Sequence, residues 1–383
     1  MDFRFTEEQE FFRSQVKDAV SRLIVPRIAE IDETEEFPRD LWDEFAGLGY
    51  FGLRHAEEHG GMDADTVTSM IFFEELARGS VGFSMAVTVQ MLMGTYFVGR
   101  FGSEAIKQRV LVPAIEGKKV AAVCFTEDQS GSDLAGTQTT AVRDGDGWVI
   151  NGRKQWVTNG PICDFATVLC QTKPGAGLAG LSFFLVELGT PGFERGQMFH
   201  KLGSRGSVTG ELVLDHVRVP LENHLGEELG RGLEYSTDIL NLVRVMTGLN
   251  ACAIARGAME EARDFAAKRV AFGKPIDTYQ LIRVKFGKFY AQYEAARTLL
   301  YRVAWMIDQK MPCQPEAMAA KYFATEMCLE AVDECTRIYG GNAFAMEYAP
   351  QRYFRDARFL LYGGGTHEVL LNFLGGLFAK GKL

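Results

Sequence analysis

The sequence changes character at residues 120–133, which read VAAVCFTEDQSGSD. The apolar run from Val120 to Phe125 predicts a short buried strand, and the acidic, hydroxyl and glycine residues after it predict a loop. Up to about Lys119 the chain instead shows helical periodicity, which starts with a capping box at Thr6. The stretch therefore marks the boundary between an all-helical segment and a β-rich segment.

Short β-rich runs continue to about residue 219, separated by turn signals at Asp144–Gly147, Asn151-Gly152 and Asn159-Gly160. From Leu233 onward, long runs with helical periodicity return. We therefore predict an α+β protein with three domains: a helical domain at residues 1–119, a β-barrel or β-sandwich at 120–232, and a four-helix-type bundle at 233–383.

The composition narrows the class of protein. The 383 residues are 47% hydrophobic and 24% charged, which predicts folded domains. The net charge of −9 and the lack of a basic run argue against a nucleic-acid partner. The longest apolar runs, such as Leu181–Val186, are short, so we expect no membrane span and a cytoplasmic location. The seven cysteines are scattered, which predicts reduced thiols and no metal site.

Two motifs in the β-rich segment suit a flat cofactor. Residues 123–133 gather backbone donors, hydroxyl groups and Gly131 in one loop, which fits the edge of a heteroaromatic ring and a phosphate. Residues 152–160 (GRKQWVTNG) offer the planar face of Trp156, with the Thr158 hydroxyl on the same side of a strand. The alternatives are an ordinary polar loop and a core tryptophan beside a hairpin.

A third motif ends the first long C-terminal helix. Residues 269–274 read RVAFGK, and Gln280 opens the next helix. Arg269 either binds a pyrophosphate, as guanidinium groups do well, or simply interacts with the helix dipole.

These three motifs, in this order and in a helical–β–helical frame, resemble the acyl-CoA dehydrogenase family over essentially the whole chain. Further matches are Lys201–Ser207, Glu211–Leu214, Val217–Pro220, Gly340-Gly341, Arg355–Arg358 and Gly365-Thr366. The resemblance implies an FAD cofactor that is not held by a Rossmann fold, which fits the missing GxGxxG. It also implies an acyl-CoA substrate, an electron-transfer flavoprotein as acceptor, and a homotetramer built as a dimer of dimers.

The resemblance assigns contacts residue by residue. The flavin ring and pyrophosphate would contact Val123, Phe125, Thr126, Gly131, Ser132, Trp156, Val157 and Thr158. The adenosine half of an FAD that is held mostly by a neighbouring subunit would contact Arg269, Phe272, Gln280, Arg337, Gly340 and Gly341. Thr366 and Glu368 would close over the adenosine or phosphate side of the cofactor. The substrate would contact Ser132, Asn241 and Arg244. Members of the family usually have Asp at the position of Asn241 and Gln at the position of Arg337.

The catalytic base of this family is missing from its usual positions. Removal of the α-proton of a thioester needs a base while hydride leaves the β-carbon for flavin N5. The family places a glutamate immediately before the Gly-Thr pair or, in some members, one residue before the arginine matched by Arg244. Here these positions hold Gly364 and Val243. The remaining candidates are His367, whose pKa suits proton transfer, and Gln90, which could orient a water or a carbonyl; each has a structural role as the alternative.

Three interpretations follow. The first, which we favour from the sequence, is a dehydrogenase that acts on an unusual acyl-CoA, such as a branched or alicyclic one, with a relocated base. The second is an elimination or reduction that needs no α-proton abstraction, as in desulfinase-like relatives. The third is a non-catalytic acyl-CoA-binding flavoprotein subunit.

Overall fold

The computed structural model describes residues 4–383. Its N-terminal part is helical, with α1 opened by the predicted capping box, in which Thr6 accepts from the Gln9 amide. The helical stretch Val81–Phe101 is divided by a π-helical segment, Val89–Gly94, a feature often found at functional sites. The helices are α1 (Glu7–Leu23), α2 (Ile28–Thr34), α3 (Arg39–Gly47), α4 (Thr66–Gly79), α5 (Val81–Thr88), α6 (Tyr96–Phe101), α7 (Glu104–Ile106) and α8 (Val112–Ile115).

The middle part is one mixed sheet with the strand order β6-β7-β3-β2-β4-β5-β8, and β1 pairs in parallel with β4. Its strands are β1 (Ala121–Cys124), β2 (Thr140–Asp144), β3 (Gly147–Thr158), β4 (Phe165–Gln171), β5 (Leu181–Glu187), β6 (Phe193–Met198), β7 (Thr209–Pro220) and β8 (His224–Leu225). The predicted turn at Asn151-Gly152 is wrong, because β3 continues through it with a bulge in its pairing with β7.

Both faces of the sheet are covered. Along β4, Phe165 and Leu169 join the large core shared with the helical parts, whereas Ala166, Val168 and Cys170 join a second core on the other face. This alternation follows the period of two of a strand, and it fixes which side chains of the sheet look toward the helices.

The C-terminal part is a helical bundle. Its elements are α9 (Gly232–Lys268), the hairpin of β9 (Val270–Ala271) and β10 (Lys274–Pro275), α10 (Gln280–Asp308), α11 (Gln314–Tyr339), α12 (Pro350–Ala357) and α13 (His367–Ala379). The predicted fold class is confirmed, whereas the exact domain boundaries at 119/120 and 232/233 stay predictions.

Two helical stretches are long and apolar enough to cross a membrane, Val81–Phe101 and Gly232–Lys268, but most of their residues are buried inside the fold, as in core helices. Counting uninterrupted apolar runs overlooked them, because polar residues interrupt each stretch. All seven cysteines are free and buried. Among residues 4–383, no group of three or more His, Cys, Asp and Glu side chains is placed to hold a metal ion.

Candidate active site

A buried ion pair supports the loop that follows β1. The fully buried Lys154 places its Nζ 2.7 Å from Glu127 Oε1 and 3.2 Å from the Phe125 carbonyl oxygen. Glu127 also accepts the backbone N–H groups of Gln138 and Thr139. Burial raises the pKa of Glu127, but the attraction of Lys154 and these hydrogen bonds outweigh it and lower the pKa below its ordinary value. The ion pair and these hydrogen bonds therefore fix the conformation of the loop.

The same loop also carries groups that are available to bind a ligand. The Thr126 hydroxyl has no hydrogen-bond partner among residues 4–383, and Gly131 and Ser132 are exposed. The Gln155 amide donates to the Thr126 carbonyl at 2.8 Å, which joins this loop to β3. The predicted loop motif and the predicted tryptophan motif therefore lie side by side.

Trp156 projects from a bulge. The pairing of β3 with β7 shifts register between Lys154 and Val157, and Trp156 adopts a left-handed φ of 56°. Such a φ is uncommon for a bulky residue and is found where surrounding structure imposes it, often at functional sites. Val157 consequently points into the core, while the Trp156 ring is 61% exposed and packs on Phe199, at 4.8 Å between ring centroids. Thr158 is half-buried on the same strand.

The two positions at which the family carries its catalytic base lie close together in the structure. A Cβ built on Gly364 would lie 3.6 Å from Val243 Cγ1, 3.6 Å from Arg244 Cγ and 3.8 Å from Thr247 Oγ1. The Thr247 hydroxyl already donates to the Val243 carbonyl of its own helix, at 2.7 Å. The structure thus brings Gly364, Val243 and Arg244 together, and no carboxylate of residues 4–383 lies within that distance of the Cβ position.

Two buried cations hold the glycine loop, residues 363–365. Arg244 Nε donates to the Gly364 carbonyl at 3.3 Å, and Lys321 Nζ donates to the Gly365 carbonyl at 3.0 Å. Burial lowers the pKa of Arg244 to about 10, so the guanidinium stays charged at neutral pH. Burial, followed by repulsion from Arg244, lowers the pKa of Lys321 to about 8.

His367 and Gln90 have their polar atoms engaged. His367 Nε2 lies 2.7 Å from Thr325 Oγ1, and its Nδ1 lies 2.8 Å from Glu326 Oε1. Gln90 Nε2 donates to the carbonyl oxygens of Ala114 and Lys119, and its Oε1 accepts the Ala121 amide. Neither side chain offers a free atom to a substrate proton, which favours the structural alternative for both.

The residues assigned to the adenosine half lie on the surface of the single chain. Phe272 is at the tip of the β9–β10 hairpin and is 97% exposed, and Arg269, Gln280, Gly340 and Gly341 are exposed near helix ends. Arg337 is exposed too and donates to Asp333 of its own helix at 2.6 Å. At the glycine loop, Thr366 caps α13 by accepting the Val369 amide, and Glu368 is exposed.

Sequence reasoning missed Lys321. Its helix α11 buries Ala317, Lys321, Ala324 and Cys328, which recur at intervals of four, three and four residues. A lysine within such an apolar stripe is the signal that would have found it, because lysines are almost never fully buried without a role for the charge.

Comparisons with known proteins agree with this arrangement. Three family profiles match the chain: acyl-CoA dehydrogenase N-terminal domain over residues 6–118, middle domain over 122–217 and C-terminal domain over 230–376. Benzylmalonyl-CoA dehydrogenase of Aromatoleum aromaticum is 40% identical, over 97% of both chains. The caffeyl-CoA reductase–Etf complex subunit CarC of Acetobacterium woodii is 33% identical, over 98% of this chain and 99% of the relative. The crystallised butyryl-CoA dehydrogenase of Megasphaera elsdenii superimposes with a TM-score of 0.95 and 34% identity, over 99% and 100% of the two chains.

The fold and the site together define an FAD-dependent oxidoreductase that acts on the CH–CH group of acyl-CoA thioesters. The chain belongs to the acyl-CoA dehydrogenase family.

Proposed function

We propose that the protein oxidises a 2-carboxyacyl-CoA thioester and decarboxylates it in the same step. The observation that carries the proposal is the glycine at position 364, beside Val243, which leaves both base positions without a titratable side chain. An ordinary saturated acyl-CoA needs that base. A substrate that loses CO2 from its α-carbon does not need it, because the departing CO2 leaves behind the electron pair that proton removal would supply.

The atoms and charges of this reaction balance. The substrate R–CH2–CH(COO⁻)–CO–S-CoA gives R–CH=CH–CO–S-CoA and CO2, and the hydride from the β-carbon reduces the flavin to its anionic dihydro form. The bond from Cα to the carboxyl carbon breaks, its electron pair becomes the second bond between Cα and Cβ, and no proton is transferred. The name of the relative from Aromatoleum aromaticum supports this class, since a benzylmalonyl thioester carries a carboxyl group on its α-carbon.

This proposal develops the second interpretation of the sequence. The first, a relocated base for a branched or alicyclic substrate, would need a free titratable atom. Both ring nitrogens of His367 are engaged, and Gln90 carries an amide that does not titrate and is bonded to the backbone. The third, a non-catalytic acyl-CoA-binding flavoprotein, would use the same Lys154–Glu127 support and exposed Trp156 ring to hold FAD, but it predicts a flavin that no thioester reduces.

The chain's own residues fit FAD. The unpartnered Thr126 hydroxyl and the exposed Gly131 and Ser132 suit the ring edge and the pyrophosphate, and the exposed Trp156 ring needs a flat partner to cover it. FAD, when bound, supplies the hydride acceptor at N5. Loop 123–133 and Trp156 would orient it, and Ser132, Asn241 and Arg244 would bind the thioester against it.

The assembly is part of the same proposal. The exposed Phe272, Arg269 and Gln280 would contact the adenosine half of a neighbouring subunit's FAD, which requires at least a dimer and supports a homotetramer. An electron-transfer flavoprotein is the proposed electron acceptor, supported by the relative named as a subunit of an Etf complex. The expected cytoplasmic location also stays a prediction.

Replacing Thr126 by valine should weaken FAD binding by about three- to tenfold, because one neutral hydrogen bond to the cofactor is lost with little change in volume. Titration of the apoprotein with FAD, followed by flavin fluorescence, measures the effect. Thr140→Val is the matched control, since Thr140 lies on β2 of the same sheet. Equal weakening in both variants would remove Thr126 from the flavin site.

The decisive test of the proposed function is the fate of the carboxyl carbon. FAD-loaded enzyme is mixed with benzylmalonyl-CoA or an alkylmalonyl-CoA that carries a labelled 2-carboxyl group. We expect labelled CO2 in step with flavin reduction, and an α,β-unsaturated thioester without the 2-carboxyl as product. An unsaturated product that retains its carboxyl group, or a flavin that stays oxidised with every such substrate, would overturn the proposal.

A further inference from the structure

The charge balance around the glycine loop is unusual. Three lysine or arginine side chains are buried within residues 4–383: Lys154, Arg244 and Lys321. Lys154 forms an ion pair with Glu127, but neither Arg244 nor Lys321 has a carboxylate within 4.0 Å in the described part of the chain. A buried charge is costly unless it is paired. Arg244 is therefore a buried cation without a carboxylate partner among residues 4–383, whereas Lys321 lies near enough to Glu326 and Glu368 for their charges to raise its pKa against the effect of burial.

Arg244 retains unused donors. Its Nε donates to the Gly364 carbonyl at 3.3 Å and one terminal nitrogen donates to Asn241 Oδ1 at 3.0 Å. A guanidinium has five N–H groups, so these two bonds leave others for a ligand, and a carboxylate is the group that matches its planar fork. The neutral amide of Asn241 fixes the guanidinium without cancelling its charge.

The position of this charge suits one particular carboxylate. Arg244 Cγ lies 3.6 Å from the place of a Cβ on Gly364, so the guanidinium belongs to the same small region as the missing base. Lys321 donates to the next carbonyl of the loop, that of Gly365. Repulsion between the two cations contributes to the lowered pKa of Lys321. A ligand carboxylate in this region would relieve that repulsion.

We propose that Arg244 binds the 2-carboxylate of the substrate and that Asn241 is the residue that determines this specificity, by leaving the guanidinium uncompensated. The inference rests on the proposed function, since it names the group that recognises the carboxylate of that substrate. An aspartate at position 241 would occupy the guanidinium and neutralise it, and the site would then favour thioesters without a 2-carboxylate.

Binding of two small thioesters tests the inference without turnover. Malonyl-CoA carries the 2-carboxylate and acetyl-CoA lacks it, and neither has a β-hydrogen that can leave as hydride. Fully FAD-loaded wild-type enzyme should bind malonyl-CoA about ten- to a hundredfold more tightly than acetyl-CoA, as expected for hydrogen bonds to a charged group. Perturbation of the flavin absorption spectrum, or calorimetry, measures both dissociation constants.

Asn241→Asp should abolish this preference, because the new carboxylate competes for Arg244 at almost unchanged volume. Asn372→Asp is the matched control: it adds the same charge on the exposed face of α13 and should keep the preference. Arg244→Gln removes the charge itself and should also abolish the preference, which provides a second route if Asn241→Asp loses its flavin. Persistence of the preference in Asn241→Asp, or its absence in the wild type, would overturn the assignment.

The two proposals fail separately. Labelled CO2 released in step with flavin reduction, together with equal binding of malonyl-CoA and acetyl-CoA, would refute Arg244 as the carboxylate site and leave the reaction standing. Tight, Asn241-dependent binding of malonyl-CoA with no reduction by any 2-carboxyacyl-CoA would retain the site and refute the reaction.

Discussion

A 2-carboxyacyl-CoA should reduce the flavin of the wild-type enzyme about 10² to 10⁴ times faster than the same thioester without its 2-carboxyl group. The factor is the usual contribution of a positioned general base, which the thioester without the carboxyl needs and cannot find beside Gly364. Rapid-mixing absorbance of the flavin, with benzylmalonyl-CoA compared to 3-phenylpropionyl-CoA, measures the two rates directly.

Gly364→Glu should reverse this order. The glutamate supplies a base for the substrate that lacks the carboxyl, and its charge repels the 2-carboxylate of the other substrate from the same space. The nearest atoms to the new Cβ lie at 3.6–3.8 Å, an ordinary contact distance, so a Cβ fits there without a clash. The φ of 71° at this position makes any side chain strained by about 1–2 kcal/mol, a cost that the fold can absorb.

Gly364→Gln is the control for that strain, since it has almost the same shape and the same left-handed backbone but no basic carboxylate. Only the glutamate variant should gain activity toward 3-phenylpropionyl-CoA. An equal gain in both variants would show that backbone geometry, and not a base, limits the reaction. Fast reduction of the wild type by 3-phenylpropionyl-CoA would place a base elsewhere and contradict the proposed function.

The sequence predicted the order of the structural parts because each has a strong local signal. The change at residues 120–133, the capping box at Thr6 and the helical periodicity after Leu233 are all local patterns, and the structure agrees with each of them. The pairing of β3 with β7 was harder to predict from the sequence, because the bulge around Trp156 depends on a partner strand more than fifty residues away. Trp156 was selected for its flat ring, but its outward projection follows from that bulge.

The glycine loop shows the other limit of sequence reasoning. Gly364 and Val243 were found by resemblance, yet their proximity depends on α9 packing beside the loop that precedes α13. Lys321 lies more than forty residues before that loop, and only its hydrogen bond to the Gly365 carbonyl reveals the connection. The charge balance of the site is a property of three distant segments, so the sequence predicted the missing base but not the two buried cations.

The contact between the N-terminal helices and the C-terminal bundle contains another buried charge, which makes a stability prediction. Glu74 of α4 accepts from Arg297 Nε at 2.7 Å, from another Arg297 nitrogen at 2.9 Å and from the Tyr301 hydroxyl at 2.7 Å. Arg297 and Tyr301 lie on α10. Asp308, at the end of that helix, accepts hydrogen bonds from the backbone amides of Thr66 and Val67. These bonds attach the N-terminal helices to the C-terminal bundle.

Glu74→Gln should lower the free energy of unfolding by about 3 kcal/mol. The glutamine keeps the shape and one acceptor oxygen but leaves the Arg297 guanidinium largely buried without its counter-charge, and breaking a buried pair in this way costs about 3–5 kcal/mol. We take the low end of that range because the Arg297 side chain retains 22% exposure and water can compensate part of the charge. Denaturant unfolding of FAD-loaded protein, at one fixed protein concentration, measures the change.

Removing both partners distinguishes a buried charge from mere loss of contacts. In Glu74→Gln combined with Arg297→Met, no unpaired charge remains, so the double variant should be less destabilised than the sum of the two single variants, with a coupling of about 1–3 kcal/mol. If Glu74→Gln costs less than about 1 kcal/mol, the pair behaves like a surface ion pair and the prediction is wrong. Because α5 follows α4 directly and its Met85 accepts from Asn250 of α9, a loosened α4 would also loosen the contact between α5 and α9, the helix that bears Arg244. Glu74→Gln should therefore reduce the preference for malonyl-CoA over acetyl-CoA as well as stability, whereas a variant that loses stability alone would show that the site is positioned independently of this ion pair.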